Sequence, residues 1–160
     1  MRYISDEKEI KEAENFMTLA AEEAQKSRCK KSKRGVVLVN NGMIIGRGYN
    51  EPLLPDLCCV RENIHDNTRY DLCSALHAEQ MAIAEAANGL YRIQGARLYQ
   101  IKTKNGEKVH SRNPSCTLCS RLIYGVKISE VVLWHKEGYA VYDSQEFNRL
   151  SYEYFLKSKK

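Results

Sequence analysis

At 160 residues the chain is long enough for one buried core and too short for two, so a single domain over residues 1–160 is expected. Hydrophobic residues make up 43% and charged residues 28%, which excludes a disordered tail, a collagen-like fibre and a coiled coil. The net charge of +5 suits an anionic partner: a nucleotide, a nucleic acid or an acidic surface. No stretch approaches the roughly 18 apolar residues of a membrane helix. The segment from Met1 to Glu7 lacks the apolar core of a signal peptide, so a cytoplasmic location is expected. In that setting six cysteines read as metal ligands, a catalytic thiol or buried thiols rather than as disulfides.

The first element is a helix from about Glu7 to Gln25. Ile10, Ala13, Phe16, Met17, Ala20, Ala21 and Ala24 recur at helical spacing, and Asp6 with Glu9 forms a capping box. A basic stretch from Lys26 to Arg34 leads into a buried strand, Gly35 to Val39. Asn40-Asn41-Gly42 turns the chain into a second strand, Met43 to Tyr49, giving a hairpin. From Asn50 to Asp71 the pattern breaks into a loop of about 20 residues, long enough to be functional or to be held by something else. Ala75 to Ala87 reads as a helix ended by Asn88-Gly89, and Ala96 to Thr103 as a strand. Lys104-Asn105-Gly106-Glu107 is a second hairpin-type turn. Ser115 to Tyr124 reads as a helix stopped by Gly125, and Ile128 to Trp134 as a strand. Asp143 with Glu146 caps a last helix carrying Phe147, Leu150 and Phe155, and the lysine-rich end frays. The order α-β-β-α-β-α-β-α gives an α/β chain with helices on a mixed sheet.

Two motifs carry chemistry. His77-Ala78-Glu79 opens the second helix, and Cys116-Thr117-Leu118-Cys119 opens the third. One imidazole and two thiolates are what a catalytic zinc takes, leaving a fourth position for water. Helix N-termini favour thiolate over thiol. Glu79, two residues past His77, is aimed away from the ligand position and is free to move protons. A lone C-x-x-C or a lone His-x-Glu carries little weight. Their joint occurrence, in this order and at two helix starts, is specific.

H-x-E followed by P-C-x-x-C is the pattern of zinc nucleobase deaminases, and this sequence resembles that superfamily. It departs by one inserted residue, Ser115, between Pro114 and Cys116, which bears on the turn into the helix. Ser27-Arg28-Cys29, Gly35 to Val39, Gly48 to Pro52, Cys59-Val60-Arg61-Glu62 and Cys73 to Gln80 are similar to deoxycytidylate deaminases. The resemblance covers roughly residues 10 to 135, and the link from Gln100 to Asn113 is longer than that family's.

The resemblance implies a three-layer α/β/α cytidine-deaminase-like fold with a mixed central sheet. It implies hydrolytic deamination of a cytosine nucleotide, dCMP to dUMP plus ammonia. A catalytic zinc on His77, Cys116 and Cys119 makes water nucleophilic near neutral pH. Glu79 carries the water's proton to the ring N3 and later protonates the departing amino group. By the same resemblance Asn50 contacts the sugar, and Ala78 offers its backbone N–H to the base. A second, structural zinc is implied on Cys29, Cys59, His65 and Cys73, with Cys58 competing with Cys59; buried free thiols are the plain alternative. A homo-oligomer is implied as well.

Arg61, Arg69, Arg112 and the Lys30 to Arg34 run are phosphate candidates, although each taken singly reads more readily as part of a solvated basic face. His110 and His135 read as ordinary loop histidines, with His110 within reach of the site mouth. Two further function classes stay open. One is a deaminase of nucleic acid, acting on tRNA adenosine or on RNA or DNA cytosine, which the charge and ten tyrosines allow. The other is a non-catalytic zinc module of the same fold, against which the intact Glu79 speaks.

Overall fold

Alternation along the apolar strands sets one helix on one face of a mixed sheet and three on the other. The computed structural model describes residues 1–54, 72–111, 114 and 116–157. In order these form β1 (Arg2–Tyr3), α1 (Glu7–Gln25), β2 (Lys33–Asn40), β3 (Met43–Tyr49), β4 (Glu51–Pro52), β5 (Ala75–Leu76), α2 (Ala78–Asn88), β6 (Arg97–Lys104), β7 (Glu107–Val109), α3 (Thr117–Gly125), β8 (Glu130–His135), β9 (Gly138–Asp143) and α4 (Ser144–Lys157).

The main sheet runs β1-β9-β8-β6-β2-β3, with β7 added to β6. The β6–β8 pair is parallel, and the remaining pairs are antiparallel. The two hairpin turns are as the sequence demands. Asn41 and Gly42, like Asn105 and Gly106, all take positive φ, the conformation that matches the twist of a two-residue hairpin.

On one face, Ala13, Phe16, Met17 and Ala20 of α1 bury against Val37, Val39, Tyr99, Ile101, Val132 and Val141. On the other face, Ala78, Ala82 and Ala86 of α2, Ile123 of α3 and Phe147 of α4 bury against Val36, Leu38, Leu98, Val131 and Leu133. The arrangement is three-layered, as the resemblance implied. Asp6 caps α1 through the amides of Lys8 and Glu9, and Asp143 caps α4 through those of Gln145 and Glu146.

Helix α2 lies very close to β3. A Cβ on Gly48 would sit inside contact distance of the Ala78 carbonyl oxygen and 2.6 Å from the Ala82 nitrogen; one on Gly46 would collide with the Ala82 carbonyl oxygen. Helix α2 also reaches the outer backbone of β3. The Arg47 amide donates to the Glu85 carboxylate, and the Tyr49 amide to the Met81 sulfur at 3.4 Å.

Four sequence readings need correction. Ala75 and Leu76 are not helical. They pair with Glu51–Pro52 as a small ladder, and His77 stays extended at ψ 154°, so the helix begins at Ala78. A strand absent from the sequence reading, β9, follows β8 through a tight turn at Gly138 with φ 134°. Residues Arg2–Tyr3 and Glu107–Val109 also pair as strands. His135 is not a loop histidine: it ends β8 at 3% exposure, bonded to the hydroxyls of Tyr3 and Tyr142.

Candidate metal centre

Helices α2 and α3 begin side by side on the same face of the sheet, and their first residues meet. His77 is the N-cap of α2 and Cys116 the N-cap of α3. His77 Nδ1 lies 3.1 Å from Cys119 Sγ and 3.3 Å from Cys116 Sγ, and the two sulfurs are 3.2 Å apart. These three donors form the metal-binding cluster found among the described residues.

The cluster fits zinc. Zn–S bonds of about 2.3 Å and Zn–N bonds of about 2.0 Å put tetrahedral donors roughly 3.5–3.8 Å apart, so the trio needs to open by only about half an ångström. Three protein ligands leave a fourth coordination position for water, the pattern of a catalytic site rather than a closed structural one.

Without a metal two of the three donors are held in their protonated forms, so zinc loading has to release protons. The Cys116 thiol is pushed down from its ordinary value by the hydrogen bond with Cys119, against the opposing effect of burial, and His77 adds to the lowering. The Cys119 thiol is pushed well up by Cys116 and by burial. Burial alone would lower the His77 imidazolium. Hydrogen bonds with Cys116 and Cys73, with the charges of Cys116 and Glu79, outweigh it and raise His77 to about 10. The Cys119 backbone N–H donates to Cys116 Sγ at 3.3 Å, the helix-terminus support that favours thiolate.

Glu79 is 3% exposed, and its Oε1 accepts from the Gln100 side chain at 2.9 Å. Gln100 on β6 thus fixes the carboxylate beside the metal donors. The sequence reading missed Gln100, although a polar residue within the apolar run Leu98-Tyr99-Gln100-Ile101 was a usable signal. The Gln80 side chain accepts from the His77 amide at 2.9 Å and holds the start of α2. Ala78 is buried in the first turn of α2, where helix geometry leaves its N–H without an intrahelical partner.

Asn50 sits at the end of β3 and is 7% exposed. Its Oδ1 accepts from the Arg34 amide at 2.8 Å and from Ser27 Oγ at 3.0 Å, and its Nδ2 donates to the Ser32 carbonyl at 2.8 Å. The side chain therefore ties the strand end to the segment entering β2.

Of the four residues suggested for a structural zinc, Cys29 and Cys73 are half-buried and are not joined in a disulfide. Cys73 is in hydrogen-bonding contact with His77. Cys59, His65 and the competing Cys58 lie outside the described residues, as do Arg61, Arg69, Arg112 and Ser115. His110 stacks on Trp134 with ring centroids 3.8 Å apart. Among the described residues, no helix is long and apolar enough to cross a membrane.

Comparison with known proteins points the same way. The model for the cytidine and deoxycytidylate deaminase zinc-binding region matches residues 10–135. A deoxycytidylate deaminase of Saccharomyces cerevisiae is 34% identical over 141 residues, covering 84% of this chain and 40% of that protein. The chain thus spans about two-fifths of that relative's length. The crystal structure of a dCMP deaminase from cyanophage S-TIM5, in complex with dCMP and dUMP, aligns with a TM-score of 0.56 at 29% identity, covering 79% of this chain and 82% of that one. A cytidine deaminase from Burkholderia pseudomallei, 20% identical, shares the fold with a TM-score of 0.58 over 84% of this chain and 94% of that one.

Proposed function

Because this chain belongs to the cytidine and deoxycytidylate deaminase zinc-binding family, we propose that it hydrolyses the exocyclic amino group of a cytosine nucleotide, converting dCMP and water to dUMP and ammonia. The observation that carries this reading is the buried Glu79 carboxylate, held by Gln100 beside three metal donors. A structural site has no use for such a group. The matching relatives described as deoxycytidylate deaminases support the choice of substrate.

His77, Cys116 and Cys119 would hold the zinc, which supplies Lewis acidity that makes water nucleophilic near neutral pH. Glu79 takes a proton from the attacking water and delivers it to ring N3. Addition at C4 gives a tetrahedral centre. Glu79 then carries a proton to the amino nitrogen, which leaves as ammonia. One carboxylate serves both transfers because Gln100 keeps it in place while the base stays fixed. The Ala78 N–H, directed by the first turn of α2, offers a hydrogen bond to the base carbonyl. The remaining N–H of the Asn50 amide serves the sugar.

A structural zinc on Cys29, Cys59, His65 and Cys73 is part of the proposal, as are a single domain, a homo-oligomer and a cytoplasmic location where thiols stay reduced. The test is an ammonia-release screen against dCMP, CMP, dCTP, cytidine, deoxycytidine, guanine and tRNA, run with metal quantification. Turnover of dCMP with two zinc ions per chain is expected. One zinc per chain removes the structural site. Release from tRNA alone replaces the nucleotide reading with that of a nucleic-acid deaminase, and release from none overturns the enzyme reading. Light scattering checks the assembly.

A further inference from the structure

Arg34 on β2 and Lys102 on β6 are direct partners in the antiparallel register. Side chains along a strand alternate between faces. Val36 and Leu38 pack with Ala78 and Ala82, whereas Gly35 abuts Ala20 of α1, so Arg34 projects on the α2 face. On β6, Gln100 reaches Glu79 on that same face. Lys102, two residues on, projects there as well, about 7 Å further along the strand. Two cations therefore stand side by side on the sheet face from which Gln100 holds the catalytic carboxylate of α2.

The placement is unfavourable unless an anion joins it. Both residues are half-buried. Like charges directly opposite each other destabilise a sheet. Burial, together with Arg34 and Lys104, pushes the Lys102 ammonium down from its ordinary value. Among the described residues, neither side chain is within ion-pair distance of a carboxylate, while Arg2, Lys26, Arg28, Arg47, Arg97 and Arg149 all are. The fold also holds Arg34 firmly: Asn50 accepts from the Arg34 amide through Oδ1 and donates its own amide to the Arg34 carbonyl at 3.2 Å.

We propose that Arg34 and Lys102 form a two-cation clamp for the phosphate of the substrate, so that the site takes a nucleotide in preference to a nucleoside. The proposal rests on the deaminase reading above and names the residues that set its substrate class. A planar guanidinium offers two parallel N–H donors to phosphate oxygens, and the ammonium adds a point charge from the neighbouring strand.

The test uses the zinc-loaded full chain with dUMP and deoxyuridine as unreactive probes, and dCMP and deoxycytidine as substrates. The variants are Arg34→Met, Lys102→Met and the double substitution, with Lys108→Met on exposed β7 as a charge control. Each clamp variant is expected to lose about 10- to 100-fold in dUMP affinity. The dUMP-to-deoxyuridine affinity ratio and the dCMP-to-deoxycytidine ratio of kcat/KM should fall by the same factor. Removing one of two opposed cations should leave the melting temperature unchanged or raised, and Lys108→Met should leave both ratios unchanged.

Ratios unmoved in the clamp variants overturn the clamp and leave the deaminase reading standing. So does a wild-type chain that shows no preference for dUMP over deoxyuridine. Loss of dUMP binding accompanied by loss of zinc or by a lowered melting temperature assigns the pair a structural role and also overturns the clamp. A wild-type chain that releases no ammonia yet binds dUMP through Arg34 and Lys102 keeps the clamp and overturns the deaminase reading.

Discussion

Replacing Glu79 by Gln is expected to leave the zinc in place and to lower kcat by about 1,000-fold, the middle of the range for a positioned general acid–base. The two side chains have nearly the same shape, and the amide can still meet a partner on β6, so the buried site should not collapse. The metal donors are His77 Nδ1 and the two sulfurs, so the carboxylate is not itself a ligand, although it accepts a hydrogen bond from the Cys119 thiol. What disappears is the ability to accept a proton and give it back. Steady-state ammonia release on protein of measured zinc content checks this. Full zinc with wild-type turnover would show that another group moves the protons. Loss of zinc along with turnover would show that the carboxylate holds the metal site together.

Gly48→Ala is expected to destabilise the chain by about 3 kcal/mol, the upper end of ordinary overpacking, and to weaken zinc binding with it. The added methyl would meet the Ala78 carbonyl oxygen and the Ala82 nitrogen. Both are backbone atoms of α2, so no rotamer change relieves the clash. The helix has to move away from β3; its N-cap is His77 and its first turn carries Glu79. For a chain of this size the melting temperature should fall by roughly 10 °C. A metal-loaded melt and a competition titration with a chelator measure the two effects. A stability loss without any change in zinc affinity would mean that α2 moves only at its far end. Gly42→Ala is the contrasting case, because a Cβ there meets nothing within 4 Å and the cost is the positive φ alone.

The metal trio was legible in the sequence because its motifs are local: the two residues between Cys116 and Cys119 fix one helical turn. Helix α1 was legible for a similar reason, since its apolar stripe and Asp6 cap lie in one window. Ala75-Leu76 misled because two apolar residues beside a helical pattern carry no mark of an extended backbone. What separates them from α2 is the conformation of His77 and a partner strand more than 20 residues earlier. Strand β9 was missed because the turn at Gly138 follows a strand whose end, His135, looked like loop. The facing of Arg34 and Lys102 could not be read at all. It depends on the register between β2 and β6, which no single stretch encodes.

The contacts from α2 to the backbone of β3 have one more consequence. β3 is an edge of the main sheet, and a bare edge is a template for another strand. Its amides at Arg47 and Tyr49 are already taken by the side chains of Glu85 and Met81. The helix that bears the metal ligand thus also guards the sheet against strand-to-strand aggregation. A substitution that frees those amides would be felt first as lost solubility rather than as lost chemistry.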